Sequence, residues 1–320
     1  MAWLRVCAKR RTREYEIVEG GNSCMTRRLF YTDHHVLPLP PEHRFPITKY
    51  RILRELLERD GYFSFERAPQ AEIATIELVH ERGYVEAFLS GTLSAAAMRK
   101  IGFPWSEGLV KRTLASVGST LAATRDALAT GWGGTLAGGT HHAFSGEGSG
   151  YCVFNDIAVA ARWVQAETDM KRVAVVDLDV HQGDGTAHIF RDDPSVLTLS
   201  VHCKSNFPLR KQQSKIDVEL EASVGDEEYL HALEEALARV WEFDPEIVFY
   251  QSGVDGLASD RLGRLQLSHD GLRERDRLVM RRVKKLEAPF VVTIGGGYSD
   301  PIELTSEAHA NTFRVAREVF

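Results

Sequence analysis

Val173–Gly185, which reads VAVVDLDVHQGDG, limits what this chain can become more than any other stretch. It opens with Val173-Ala174-Val175-Val176, an apolar run too short for a helix and rich in β-branched side chains. Runs of this kind are buried strands of parallel sheets. Asp177, Asp179 and His181 follow at alternate positions. Side chains alternate faces along an extended chain, so these three start out on one side. Buried charge is costly unless it is paired or holds a metal. Two carboxylates and an imidazole at the end of a buried strand therefore predict a metal site. The competing reading is a polar strand-to-loop turn with solvated acids. Gly183-Asp184-Gly185 then turns the chain sharply into a short helix.

The rest of the chain alternates strand and helix. Leu29–Tyr31 reads as a first strand, and Thr48–Asp60 has helical periodicity that stops at Gly61. Ile73–Leu89 predicts two short helices broken at Gly83, and Arg112–Ala129 an amphipathic helix ended by Gly131. A short buried strand then runs into Gly138-Gly139 and the pair His141-His142. Asn155 or Asp156 caps a helix reaching about Glu167. Strands over Val196–His202, Glu246–Gln251 and Pro289–Ile294 are separated by helices over Asp226–Trp241 and His269–Lys285. A last helix covers Leu304–Val319, and 206–215 reads as an exposed basic loop. This order, with no internal repeat, predicts a single doubly wound α/β domain over 27–320, a mostly parallel sheet with helices on both faces. Four times, unusual polar residues fall just past a strand: His141 and His142, Asp177 to Asp184, Asp255, and Tyr298. Ligand sites of open α/β sheets lie there. His34 and His35 sit in a proline-flanked loop and read as surface or capping groups rather than ligands.

Composition narrows the class. The 320 residues are 43% hydrophobic and 26% charged, with a net charge of −6. That balance gives no sign of a nonspecific nucleic-acid binder and would assist encounter with a basic peptide only mildly. No apolar run approaches the ~20 residues of a membrane span. Cys7, Cys24, Cys152 and Cys203 form no CxxC pair and read as reduced thiols of a cytoplasmic protein. Residues 1–26 differ in character: a basic Lys9–Arg13 and a breaker cluster Gly20-Gly21-Asn22-Ser23 suggest a poorly ordered extension, or an upstream start with Met25 as the natural initiator.

A catalytic metal site needs about three protein ligands and an open position. Asp179, His181 and Asp255 supply that count, and an oxygen-rich set suits Zn²⁺ while tolerating Fe²⁺ or Mn²⁺. His141 and His142 are then free for proton transfer, with Asp177 and Asp184 as spare acids to orient them. Tyr298, on a triple-glycine loop, can donate its hydroxyl to a developing oxyanion. These parts make a metallo-amidohydrolase. The glycine runs match neither GxGxxG nor GxxxxGK[ST], which argues against redox and phosphoryl chemistry.

Seven motifs then occur in order across nearly all of 28–320: FYTDHH at 30–35, HRFPITKY at 43–50, GGTHHAF at 138–144, GYCVFND at 150–156, VVDLDVHQGDGT at 175–186, QSGVD at 251–255 and GGGY at 295–298. By these the chain resembles the zinc-dependent histone deacetylase family, which shares its fold with arginases. NFPLRKQQSKIDVEL at 206–220 and DRLGRLQLSHDGLRERDRLV at 260–279 look most like its class IV, bacterial-type branch. The resemblance implies zinc on Asp179, His181 and Asp255. It implies His141 paired with Asp177 as an electrostatic partner, His142 paired with Asp184 as general base and acid, and Tyr298 as the transition-state tyrosine. Gly150, Tyr151 and Phe207 would line an acyl-lysine tunnel. A structural potassium ion would use the Ser200 hydroxyl and backbone oxygens of Asp177, Asp179, His181 and Val201. Gln182 stands where members often carry a second histidine, at a position that is not a ligand.

The expected activity is hydrolysis of an N-ε-acyl-lysine amide in a peptide or protein, with no direct nucleic-acid or membrane partner. Alternatives are deacylation of acetylated polyamines or another small amide, and an inactive scaffold that binds acyl-lysine. A binuclear manganese ureohydrolase is disfavoured, because Gly183 and Leu257 stand where further bridging carboxylates would be needed.

Overall fold

The computed structural model describes residues 26–320. The extension expected at the N-terminus, the Met25 start, Cys7 and Cys24 lie outside the described residues. Eight strands form one all-parallel sheet in the order β2-β1-β3-β8-β7-β4-β5-β6. The strands are β1 Arg27–Tyr31, β2 Phe63–Arg67, β3 Trp132–Thr135, β4 Val173–Asp177, β5 Val196–Cys203, β6 Ile216–Leu220, β7 Ile247–Ser252 and β8 Phe290–Ile294. The central β3, β4, β7 and β8 are buried along their whole length, as apolar strands covered on both faces must be. The expected doubly wound α/β domain is what forms.

The helices divide into two packed groups. In one, α5 (Glu107–Thr130) lies on β1, β3 and β8 and packs against α6 (Asp156–Glu167). In the other, α1 (Thr48–Asp60), α10 (Ile302–Val319), α9 (His269–Leu286) and α8 (Asp226–Glu242) pack in series. Helix α1 ends where the sequence predicts, because Gly61 takes the left-handed conformation (φ 71°) that closes a helix.

Three expectations need correction. The two short helices of 73–89 are α2 (Ile73–Ile76) and α3 (Arg82–Leu89), so the break lies at 77–81 and Gly83 sits inside a helix. Helix α5 starts at Glu107, where Ser106 accepts a hydrogen bond from the Leu109 amide. It is buried on every side through 112–124 rather than amphipathic, because neighbouring strands and α6 cover it. The strands β2 and β6 and the helix α4 (Ala95–Ile101) went unpredicted. Both strands are sheet edges, where half the residues face water and the apolar signal is diluted.

Register places the site. Asp177 on β4 lies beside Gln251 on β7, and Gln251 beside Thr293 on β8. The segments that leave these three strands therefore emerge side by side at one level.

Candidate active site

The three ends contribute Asp179 and His181 after β4, Asp255 after β7, and the glycine run to Tyr298 after β8. Among the described residues, Asp179, His181 and Asp255 form one metal-capable group whose ligand atoms lie within 4.8 Å of one another. The His181 Nδ1 is 3.0 Å from both Asp179 Oδ1 and Asp255 Oδ2. Remaining carboxylate oxygens are tied to backbone: Gly296 N donates to Asp179 Oδ2 (2.6 Å) and Val180 N to Asp255 Oδ1 (2.9 Å).

The donor set fits a metal. Two fully buried carboxylates face one imidazole, and among the described residues no lysine or arginine side chain is paired with either. Burial and the neighbouring Asp179 push the Asp255 carboxyl up to about 7, a like-charge conflict that a cation relieves. Glycine leaves the space for this crowding. A Cβ on Gly296 would come within 1.8 Å of Asp255 Oδ2, and one on Gly253 within 2.3 Å of Asp179 Oδ2.

Asp177, although on the same side of β4, does not join the group. His141 Nδ1–H donates to Asp177 Oδ2 at 2.6 Å, and His142 Nδ1–H donates to Asp184 Oδ1 at 2.6 Å. The two imidazole centroids are 4.0 Å apart, yet their protonation differs. Burial opposes charge on His141, but Asp177 and Asp179 overcome it and hold the ring up near 9. On His142 burial and the charge of His141 outweigh Asp184 and push it down to about 4. One ring is held as a cation and its neighbour as a neutral base.

Tyr298, Tyr151, Gly150 and Phe207 line one cleft of about 790 Å³ together with His142 and His181. Phe207 meets His142 edge-to-face at 4.9 Å. A Cβ on Gly150 would press on both rings, at 2.8 Å from His142 and 3.3 Å from Phe207. Tyr151 has a positive φ (67°), backbone strain of a kind that clusters at functional sites. Ser200 lies opposite Asp177 in register, with Val201 next to it, and its hydroxyl meets His202 Nδ1 at 3.0 Å. His34 and His35 lie against each other with tilted rings, centroids 4.1 Å apart, and stand outside the metal-capable group.

Several supporting residues escaped the sequence reading. Asp260 Oδ2 accepts from Tyr298 N (2.6 Å), and its Oδ1 accepts from Leu262 N and Gly263 N (2.8 Å each), which fixes the tyrosine loop. Buried Asp156 accepts from Gly139 N (3.1 Å) and Thr140 N (2.7 Å), which fixes the approach to the histidine pair. The ammonium of Lys49 donates to Gly295 O (2.9 Å). Arg275, buried on α9, donates to Gly253 O and, at 3.4 Å, to Leu178 O. In sequence Arg275 is one charge on a charged helix, and nothing local marks it as buried. Gln182 did carry a signal, as a departure from the family pattern. Its side chain exchanges two hydrogen bonds with the backbone of Gln212, each 2.8 Å, and donates to Asp217 Oδ1 (2.9 Å).

Residues 43–315 match the histone deacetylase domain. The chain belongs to the histone deacetylase family. It is 46% identical over 297 residues to an uncharacterized protein of Picosynechococcus sp., covering 91% of this chain and 98% of that one. It is 31% identical to histone deacetylase 2 of Arabidopsis thaliana, over 80% of this chain and 70% of the relative. It is 30% identical to the acetoin utilization protein AcuC of Bacillus subtilis, over 81% and 73%. In fold it resembles the HD domain of HDA15, with a TM-score of 0.76 at 20% identity over 91% of this chain and 88% of that one. Membership makes this family member a deacetylase-type hydrolase of acetyl amides and implies a metal cofactor, for which the buried Asp-His-Asp group is suited.

Proposed function

We propose that the protein is a zinc-dependent deacylase that hydrolyses the amide of an N-ε-acyl-lysine. The observation that carries this reading is that Asp179, His181, Asp255, neutral His142 and Tyr298 all line one small cavity, which shares His142, His181 and Tyr298 with the cleft. Zinc held by these three ligands would supply Lewis acidity and lower the pKa of water towards roughly 7. His142 accepts the proton of the attacking water at Nε2, because its Nδ1 is committed to Asp184. The same proton then passes to the leaving lysine amine, so His142 serves as base and acid in turn. His141, held cationic beside Asp177, offsets the negative charge that grows at the reacting carbonyl. The Tyr298 hydroxyl, kept protonated by burial, donates to the carbonyl oxygen. Tyr151 and Phe207 flank the lysine stem, and Gly150 keeps the passage open. The potassium expected beside Ser200 enters this reading as a structural ion. The two described cysteines, Cys152 and Cys203, are buried free thiols, which supports a reducing setting such as the cytoplasm.

The test is steady-state hydrolysis of lysine peptides from acetyl to myristoyl, with zinc-loaded and chelated protein side by side. Chelator-sensitive turnover is the expected result, and the best chain length sizes the tunnel. Tyr298→Phe should retain metal and lose about 10²–10³-fold in kcat. Near-wild-type turnover in that variant sinks the assigned role, and zinc-loaded protein that hydrolyses no amide sinks the enzyme reading.

A further inference from the structure

We propose that the mouth of this cleft selects acylated amines carried on anionic molecules, with carboxylates close to the acylated nitrogen, over amines carried on cationic chains. The inference rests on the deacylase reading and names the substrate class for the same site. The charged side chains at the cleft wall decide it. Two are acids, and both are already engaged: Asp184 holds His142, and Glu147 is paired with Lys100 at 2.6 Å. Arg99 and Arg210, also at the wall, are exposed and have no carboxylate within ion-pair distance among the described residues. An arriving cation therefore meets no available acid, and an arriving carboxylate meets two guanidinium groups suited to bidentate binding.

This positive rim is not an average property of the chain, which carries 45 acidic against 39 basic residues. It is a local excess of unpaired positive charge around a concave site, the arrangement that steers charged substrates. The loop that carries Arg210 is also held in place. The Lys211 ammonium turns back to donate to Asn206 O and Pro208 O (2.6 Å each), and Gln182 fixes the far end at Gln212. Arg210 and the 92% exposed Leu209 are thereby presented outward. The cleft volume of about 790 Å³ exceeds what one acyl-lysine side chain fills, leaving room for flanking groups of the carrier.

The test is one acetyl-lysine peptide made in three versions, flanked by Glu, Gln or Lys, assayed with wild type and with the Arg99→Gln/Arg210→Gln double variant. Wild-type kcat/KM should fall from Glu through Gln to Lys by about tenfold overall, carried by KM. The ranking should collapse in about 1 M salt, where the screening length is about 3 Å. The double variant should flatten it at low salt. Free N-ε-acetyl-lysine beside its carboxamide separates a small-molecule carboxylate from acidic peptide flanks as the source of the preference. Equal kcat/KM for the three peptides, a best Lys-flanked peptide, or an acetylated polyamine that outperforms the Glu-flanked peptide overturns the inference. A hydrolysed Gln-flanked peptide with a flat ranking overturns it while leaving the deacylase reading intact. If the Gln-flanked peptide and every other amide remain unhydrolysed, the deacylase reading fails first and takes the inference with it.

Discussion

The floor and the rim of the cleft are built on different physics. At the floor, Asp177, Asp179, Asp184, Asp255, His141 and His142 are buried, and each is held by a hydrogen bond of 3.1 Å or less. Burial there makes each charge expensive and each partner obligatory, so protonation states diverge between adjacent residues. At the rim, Arg99, Lys100, Glu147 and Arg210 are exposed, and single contacts between them are weak. What counts at the rim is the sum of charge over a concave surface. The floor fixes which bond is broken, and the rim biases which molecules arrive.

Three experiments sharpen that contrast, beginning with the largest expected effect. Asp255→Ala at the floor should bring metal content to background and lower turnover by at least about 10³-fold. A variant that keeps stoichiometric metal breaks the assignment of the floor as one interdependent unit. The next effect lies directly behind the floor. His80 accepts from Asn155 N (2.8 Å), and Asn155 donates to Ala143 O (3.2 Å) beside the histidine pair. Burial pushes His80 down to about 4. The unfolded chain, with a histidine pKa near 6.5, takes up the proton first. Stability from this group is therefore complete above about pH 6.5 and is lost as pH falls towards 4, by about 3 kcal/mol in all. Urea midpoints measured across that window should show the slope in wild type. His80→Gln should start lower at pH 7 and lose less on acidification, and an equal slope in both proteins refutes the role of His80. The smallest effect belongs to the rim. Gln182→Ala removes two hydrogen bonds to the 206–212 loop and one to Asp217 on β6, and should cost about 2 kcal/mol in stability. KM for a neutral peptide should rise severalfold with kcat retained. A loss confined to kcat means that this loop acts on the floor as well.

Much of the floor was legible in the sequence because its parts lie at strand ends. A run such as Val173–Val176 declares a buried parallel strand, and alternation then aims Asp177, Asp179 and His181. The same logic placed the histidine pair, Asp255 and Tyr298 at one sheet edge. Asp177 was set apart there as a spare acid, but its pairing with His141 came only from the family resemblance, since which carboxylate meets which imidazole depends on neighbouring strands. Edge strands β2 and β6 were missed because their outward residues are polar, and α5 was read as amphipathic because sequence does not reveal how many neighbours cover a helix.

The sequence by itself determined the order of the buried strands along the chain, the residue types at their ends and the family. Tertiary structure alone decided that Arg275, Asp156 and Asp260 hold the site from distant elements. It also decided that His141 and His142 differ in charge, and that a chain of net negative charge opens its cleft through a basic rim. The reason is physical: propensity and periodicity act over a few residues, whereas burial and electrostatics depend on everything nearby in space.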